Sequence, residues 1–168
     1  MTARPIMLDT SFLIAYADPD RTHHSVARQH FREAIRLQLP MLLSTLVVAE
    51  FERRQSLSTL GLGNFRVTPF NYDDGQEAAR LAELLSPKDS DDDRVCLAAD
   101  VKIIAQAKRS GAVAILTEDH KSMAKYVDRL RDKGQIDCYP ILMKDGFDAG
   151  RLINPASPGL LLPAPGDA

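Results

Sequence analysis

The chain reads as an α/β domain built on a mostly parallel sheet. Two observations predict this. Short apolar runs alternate with longer stretches of helical period along 168 residues, which is the pattern of strands joined by helical crossovers. Four acids also stand at marked places in that pattern. Asp9 ends the run Pro5-Ile-Met-Leu8, Asp119 follows the run Ala112–Leu116, and Glu50 and Asp100 lie on the apolar stripes of predicted helices. A carboxylate on an inward face is costly unless paired or bound to a metal.

The elements follow in order. Ile6–Leu8 is the first strand, and a short helix runs from Ser11 to about Ala17. Asp20 or Thr22 caps a second helix reaching Leu37, with Val26, Phe31, Ala34 and Ile35 turned inward. Met41–Leu43 is the second strand. Ser44 or Thr45 caps a helix through Glu50 to about Gln55, and the two glycines of Leu57–Asn64 mark a loop. Arg66–Phe70 is the third strand, and Asp73 opens a helix through Leu85. Residues 86–93 are a polar loop and helix start, and that helix ends before Gly111. Val113–Thr117 is the fourth strand, His120–Lys133 a helix closed by Gly134, and Ile136–Leu142 the last strand. The final 14 residues hold four of the ten prolines and read as an arm or tail without regular structure.

Composition sets bounds. Hydrophobic residues make up 45% and charged residues 26%, ordinary for a globular domain with a real core. No apolar run approaches the roughly 18 residues of a membrane span. Met1–Pro5 leads straight into a strand and does not read as a signal peptide. A cytoplasmic protein without membrane attachment is expected, with Cys96 and Cys138 as free thiols. The net charge of −2 does not attract nucleic acid as a whole, so any such binding needs a local basic patch or metal ions.

Ligands of open parallel sheets sit beyond the carboxyl ends of the strands. Asp9 and Asp119 lie at such ends, and Glu50 and Asp100 on the neighbouring helices can converge with them. Each acid also has a purely structural reading. Asp9 would cap the next helix, Glu50 pair with Arg54, Asp100 bond Lys102 or Arg94, and Asp119 cap the helix from His120. Together they point to a cation site. Two carboxylates about 5 Å apart repel by roughly 3 kcal/mol at an effective dielectric near 20. Oxygen ligands with few histidines favour Mg2+ or Mn2+ over zinc. Such ions activate water for attack on phosphorus and stabilise the leaving oxygen, so a metal-dependent phosphodiester hydrolase is the leading reading. No Ser-His or Cys-His pairing suggests a side-chain nucleophile. His23-His24 reads as a solvated or capping pair, and Asp91-Asp-Asp93 as loop and cap. Asp93 alone shares a helix face with Asp100. Arg53, Arg54, Lys102 and Lys121 are candidate phosphate contacts, each more simply a solvated side chain.

The strings MLDTSFLIAY, STLVVAEFERR, DVKIIAQAKRSG and AILTEDHKSM, in this order and spacing, resemble a PIN domain, with VapC-type toxin ribonucleases as the nearest kin. The resemblance covers about residues 5–142. It implies a three-layer α/β/α nuclease domain, here over 1–145, and the proline-rich tail over 146–168 is longer than most members would need. It also implies Mg2+ or Mn2+ held by Asp9, Glu50, Asp100 and Asp119, with Thr117 as the hydroxyl residue of the site. An RNA substrate, a small cognate antitoxin whose peptide covers the acidic site, and a homodimer are implied partners. Two departures stand out. Asp100-Val-Lys replaces a frequent Asp-Ala, and Thr117-Glu-Asp119 replaces Thr-Asn-Asp, so Glu118 competes with Asp119 for the site. Strand alternation favours Asp119. The competing readings are a non-catalytic PIN-like domain that binds RNA or protein, and a phosphoacceptor domain. The second lacks an acid at the end of the middle strand, which closes on Leu43-Ser44.

Overall fold

The structure, a computed structural model, describes residues 3–85 and 91–157, with side chains of the second stretch described from residue 98. Five strands, β1 (Ile6–Leu8), β2 (Met41–Ser44), β3 (Phe65–Thr68), β4 (Ala114–Thr117) and β5 (Tyr139–Leu142), form one sheet in the order β3-β2-β1-β4-β5. Every pairing is parallel. The inner strands β1, β2 and β4 are buried at every position, as expected of parallel strands covered on both faces. Pro140 lies in β5, an edge strand, where its missing N–H costs no ladder bond.

The described residues form seven α-helices: α1 (Thr10–Ala17), α2 (His24–Arg36), α3 (Thr45–Phe51), α4 (Tyr72–Leu85), α5 (Asp91–Arg109), α6 (Met123–Asp132) and α7 (Ala149–Ile153). The chain steps from β1 through β2 to β3 in one direction, then returns through β4 to β5 in the other. Right-handed crossovers therefore put α1–α3 on one face and α4–α6 on the opposite face. The packing agrees: α1 rests on α2 and α3, and α4 on α5 and α6. The direction reverses between β1 and β4, and a crevice opens there beyond their carboxyl ends.

The local chemistry explains most boundaries. Ser44 caps α3 by accepting from Leu46 N at 3.1 Å. At the start of α4 the cap is Asn71 rather than Asp73. Asp74 N donates to Asn71 Oδ1 and Asn71 N to Asp74 Oδ2, each at 3.0 Å, which is a reciprocal capping box. The other oxygen of buried Asp74 accepts from Arg109 Nε at 3.0 Å and ties α4 to α5. Gly111 (φ +70°) and Gly134 (φ +67°) end α5 and α6 in the left-handed conformation.

Several expectations are corrected. Neither Asp20 nor Thr22 caps α2, which begins at His24 with His23 in the cap position and no side-chain cap bond. Its inward stripe is Ala27, His30, Phe31 and Ala34, while Ile35 is 44% exposed. Helix α3 stops at Phe51, four residues short of Gln55, and α6 begins at Met123 instead of His120. Within the segment assigned to the tail, residues 149–153 form α7, which packs against α2 with Leu152 buried. The prolines beyond residue 157, the loop at 86–90, and the side chains of Asp93 and Cys96 lie outside the described residues. Cys138 is a buried free thiol, and burial pushes its pKa up to about 12. No helix among the described residues is long and apolar enough to cross a membrane.

His30 carries a pH dependence. It is fully buried, donates from Nδ1 to Val26 O at 3.0 Å, stands edge-on to Phe147, and leaves Nε2 without a partner among the described residues. Burial holds its pKa below the usual 6.5. The Arg151 charge adds to that, against opposing contributions from Val26 and Asp148. The folded state therefore resists a proton that the unfolded state accepts below about pH 6.5, and stability is lost as pH falls through that value. His30→Leu should shrink this acid loss. Urea midpoints of wild type and variant, compared at pH 7 and pH 5, check it: the gap should move in favour of the variant at pH 5.

Candidate active site

The sheet register sets the first contact. Leu8 of β1 is level with Leu116 of β4, and Asp9 N extends the ladder by donating to Leu116 O at 3.1 Å. The next residues, Asp9 and Thr117, thus come side by side at the carboxyl edge. Thr117 Oγ1 donates to Asp9 Oδ2 at 2.7 Å, and Ser11 Oγ donates to the same oxygen at 2.6 Å. Thr10 N donates to Asp9 Oδ1 at 2.8 Å, so Asp9 is also the cap of α1. Each hydroxyl accepts in return. Asp119 N donates to Thr117 Oγ1 and Glu118 N to Ser11 Oγ, both at 2.9 Å. The end of β4 is thereby pinned to the start of α1. Asp9 is only 6% exposed. Burial raises its pKa, the Asp119 charge adds to this, and the three hydrogen bonds pull the other way.

Asp119 opens the turn into α6. Its Oδ1 accepts from Lys121 N at 2.8 Å and Ser122 N at 2.9 Å, and Ser122 Oγ donates to Oδ2. Burial pushes its carboxyl upward, but the Ser122 hydroxyl and the backbone N–H groups of Ser122, Lys121 and Met123 outweigh it and leave the pKa below the ordinary value.

Asp100 on α5 is the acid least provided for. Its Oδ2 is buried and has no hydrogen-bond partner among the described residues. Burial, with repulsion from Asp9, Asp119 and Glu50, pushes its pKa up to about 7 against the pull of Ser122. Each of these three carboxyls is therefore near enough to Asp100 to oppose its charge. Glu50 differs from the expectation of an inward stripe: Val47 and Phe51 are the buried residues of α3, and Glu50 is exposed at the rim. The Thr10 hydroxyl donates to Glu50 Oε2 and draws it toward the mouth of the site.

Among the described residues, no three Asp, Glu, His or Cys side chains are gathered closely enough to cage an ion as they stand. Asp9, Glu50 and Asp119 are each held by hydroxyls instead. The donor set still fits a divalent cation. A positive charge would supply the partner that Asp100 Oδ2 lacks and relieve the repulsion around it. Carboxylate and hydroxyl oxygens are the ligands that hard cations take.

Glu118 points elsewhere. Its Oε2 accepts from Arg21 Nη2 at 3.1 Å and its Oε1 from His23 Nδ1 at 2.9 Å. The alternation at the end of β4 thus separates it from Asp119. The His23 side chain thus pairs with Glu118 although the residue stands at the cap position of α2, and His24 donates from Nδ1 to Ala15 O at 3.0 Å. Of the basic candidates, Arg53, Arg54 and Lys102 are exposed, while Lys121 lines a groove beside Asp119. The sequence did not single out Ser122 or Arg21, and it pointed to His23 only as a solvated or capping residue. Ser122 follows Asp119 by three residues, a side-chain capping distance that marks it locally. Arg21 and His23 carry no such local mark.

Comparison with known proteins bears on this arrangement. The PIN domain profile matches residues 6–129. The structure resembles VapC20 from Mycobacterium tuberculosis, described as a sarcin-ricin loop cleaving toxin (17% identity, 80% of this chain and 99% of that one, TM-score 0.53). It also resembles DNA-bound VapBC from Salmonella typhimurium (17% identity, 83% and 98%, TM-score 0.51). FitAcB from Neisseria gonorrhoeae is a third neighbour (20% identity, 86% and 98%, TM-score 0.51). At these identities the likeness concerns the fold. The comparison with curated proteins gave no match. On the family profile, which spans most of the chain including Asp9, Glu50, Asp100 and Asp119, the protein belongs to the PIN domain family.

Proposed function

We propose that the protein is a metal-dependent endoribonuclease that hydrolyses RNA phosphodiester bonds, using Mg2+ or Mn2+ at Asp9, Glu50, Asp100 and Asp119. The observation that carries this reading is Asp100, a half-buried carboxyl whose inner oxygen has no partner among the described residues and whose charge is opposed by three other acids. A binding surface for RNA alone gains nothing from that charge cluster. When bound, a divalent ion supplies an activated water and stabilises the leaving oxygen.

The chain's own residues hold the acids in position. Thr117 and Ser11 orient Asp9, Ser122 orients Asp119, and Thr10 draws Glu50 inward. We assign Thr117 to the site as the hydroxyl that links Asp9 to Asp119. The resemblance to toxins supports the further reading that the protein is the toxin of a type II toxin-antitoxin pair, acting in the cytoplasm as a homodimer. Its partner would be a small antitoxin that sends an Arg or Lys to the acids.

The test is single-turnover cleavage of a panel of cellular RNAs. Mg2+ or Mn2+ should support cutting, EDTA should stop it, and Asp119→Asn should slow it by at least about 100-fold. Cutting that persists in EDTA, or an Asp119→Asn variant as fast as wild type, would remove the basis for this assignment.

A further inference from the structure

We propose that Glu118 organises Arg21 and His23 into a subsite for a backbone phosphate of the RNA strand, next to Asp119. This deepens the ribonuclease reading and rests on it. A groove of about 510 Å³ runs beside the acid cluster, and Ser11, Arg21, His23, Asp119, His120 and Lys121 line it. It touches the acids directly, because Ser11 donates to Asp9 and accepts from Glu118 N. A strand entering the acid site can therefore lay an adjacent phosphate along this wall.

The wall is assembled from distant parts of the chain. The turn between α1 and α2 is tied internally: Asp20 N donates to Asp18 Oδ1, Arg21 N to Asp18 O and His24 N to Arg21 O, all at 3.0–3.1 Å. That turn sets Arg21 and His23 against Glu118. The Glu118 side chain is only 13% exposed, while Arg21 is 45% exposed. A carboxylate only accepts, so His23 Nδ1 carries a proton. Arg21 commits Nη2 to Glu118 and keeps donors of its planar fork for a second anion.

An acid beside a phosphate subsite would repel the ligand if it stood alone. Here two basic groups screen it, and Lys121 and His120 stand in the same groove. With a net charge of −2, the protein needs a local basic patch or metal ions to bind RNA, and Arg21 and Lys121 bring positive charge to a groove that Asp20, Glu118 and Asp119 also line. Stability alone does not account for the cluster, since an ion pair to a half-exposed Arg contributes little.

The test is anisotropy titration of a labelled single-stranded RNA oligonucleotide in EDTA, starting near ~50 mM salt, so that binding is read without cleavage. Arg21→Ala should weaken binding about 5-fold and lower the salt slope by about 0.7, the contribution of one single-strand phosphate. Arg21→Lys should keep most of that slope. Arg66→Ala, on exposed positions of edge strand β3, is the charge control and should change neither. Glu118→Gln gives the sharpest sign. Removing a negative charge should tighten binding if Glu118 acts only as charge; losing the anchor of Arg21 and His23 should weaken it about 3-fold. Tighter binding by Glu118→Gln, an Arg21→Ala variant no weaker than Arg66→Ala, or no wild-type binding would each overturn the subsite. Arg21-dependent binding without any cleavage in Mg2+ or Mn2+ would instead overturn the ribonuclease reading and leave the groove standing.

Discussion

Asp100→Asn should cut RNA at least about 100-fold more slowly than wild type, yet unfold at a higher temperature in EDTA at pH 8. The two effects share one cause. Asp100 is the acid for which the described residues provide least: Oδ2 is buried without a partner among them, and its pKa is pushed up to about 7 by burial and by Asp9, Asp119 and Glu50. At pH 8 the metal-free protein must keep this carboxyl ionised among other acids, and a neutral amide of the same shape removes that repulsion. The move from 3.8 to about 7 corresponds to on the order of 4 kcal/mol at most. Even a third of that is visible in a melting curve. The same amide is a poorer ligand for a hard cation, so catalysis falls as stability rises. Single-turnover rates and melts on one preparation decide the matter. A variant that cuts as fast as wild type on the best substrate, or that melts lower in EDTA at pH 8, would show that Asp100 is an ordinary structural carboxyl.

Much of this site was legible in the sequence because it depends on local signals. Asp9 and Asp119 follow uninterrupted apolar runs, and in a parallel sheet such runs are buried strands whose ends face the ligand crevice. Thr117 is the last residue of one of those strands. Glu50 was misjudged because α3 has only seven residues and its buried positions are Val47 and Phe51. One step of about 100° from Phe51 turns Glu50 out to the rim, where the Thr10 hydroxyl meets it. In α2 the same error has another source: the apolar Ile35 was read as inward, but the stripe runs through the imidazole of His30. Tertiary burial overrode hydropathy there, as the Phe147 contact shows.

The Glu118 cluster was out of reach for a different reason. Arg21 and His23 are separated from Glu118 by 97 and 95 residues, and no periodicity links a turn after α1 to the end of β4. Only the strand register brings them together. Alternation at the end of β4 led to the expectation that Glu118 and Asp119 diverge, and the two side chains do have different neighbours. What alternation could not supply was the identity of those neighbours.

The metal response should depend on pH in a definite direction. Asp100 and Asp9 have pKa values raised in the folded state. A raised carboxyl favours the folded state while it is protonated in both states, and that advantage is lost as pH rises from about 3.8 through about 7. Asp119 is lowered and acts oppositely, but its contribution is complete above its ordinary pKa and does not change across this window. In EDTA, then, these groups should make the protein less stable at pH 8 than at pH 5. Cations compete with protons for the same oxygens, so Mg2+ or Mn2+ should stabilise more at pH 8, where Asp100 is ionised. At about 100 times its Kd a ligand specific for the folded state adds about 2.7 kcal/mol, or roughly 5–10 °C in Tm for a domain of this size. At pH 5 the same concentration should give a clearly smaller rise, because the ion must first displace a proton. Asp100→Asn should flatten both the pH trend in EDTA and the metal response. Melting curves at the two pH values, with and without each metal, are the measurement. A rise that is larger at pH 5, or absent at both, would mean that these carboxyls do not receive the ion together.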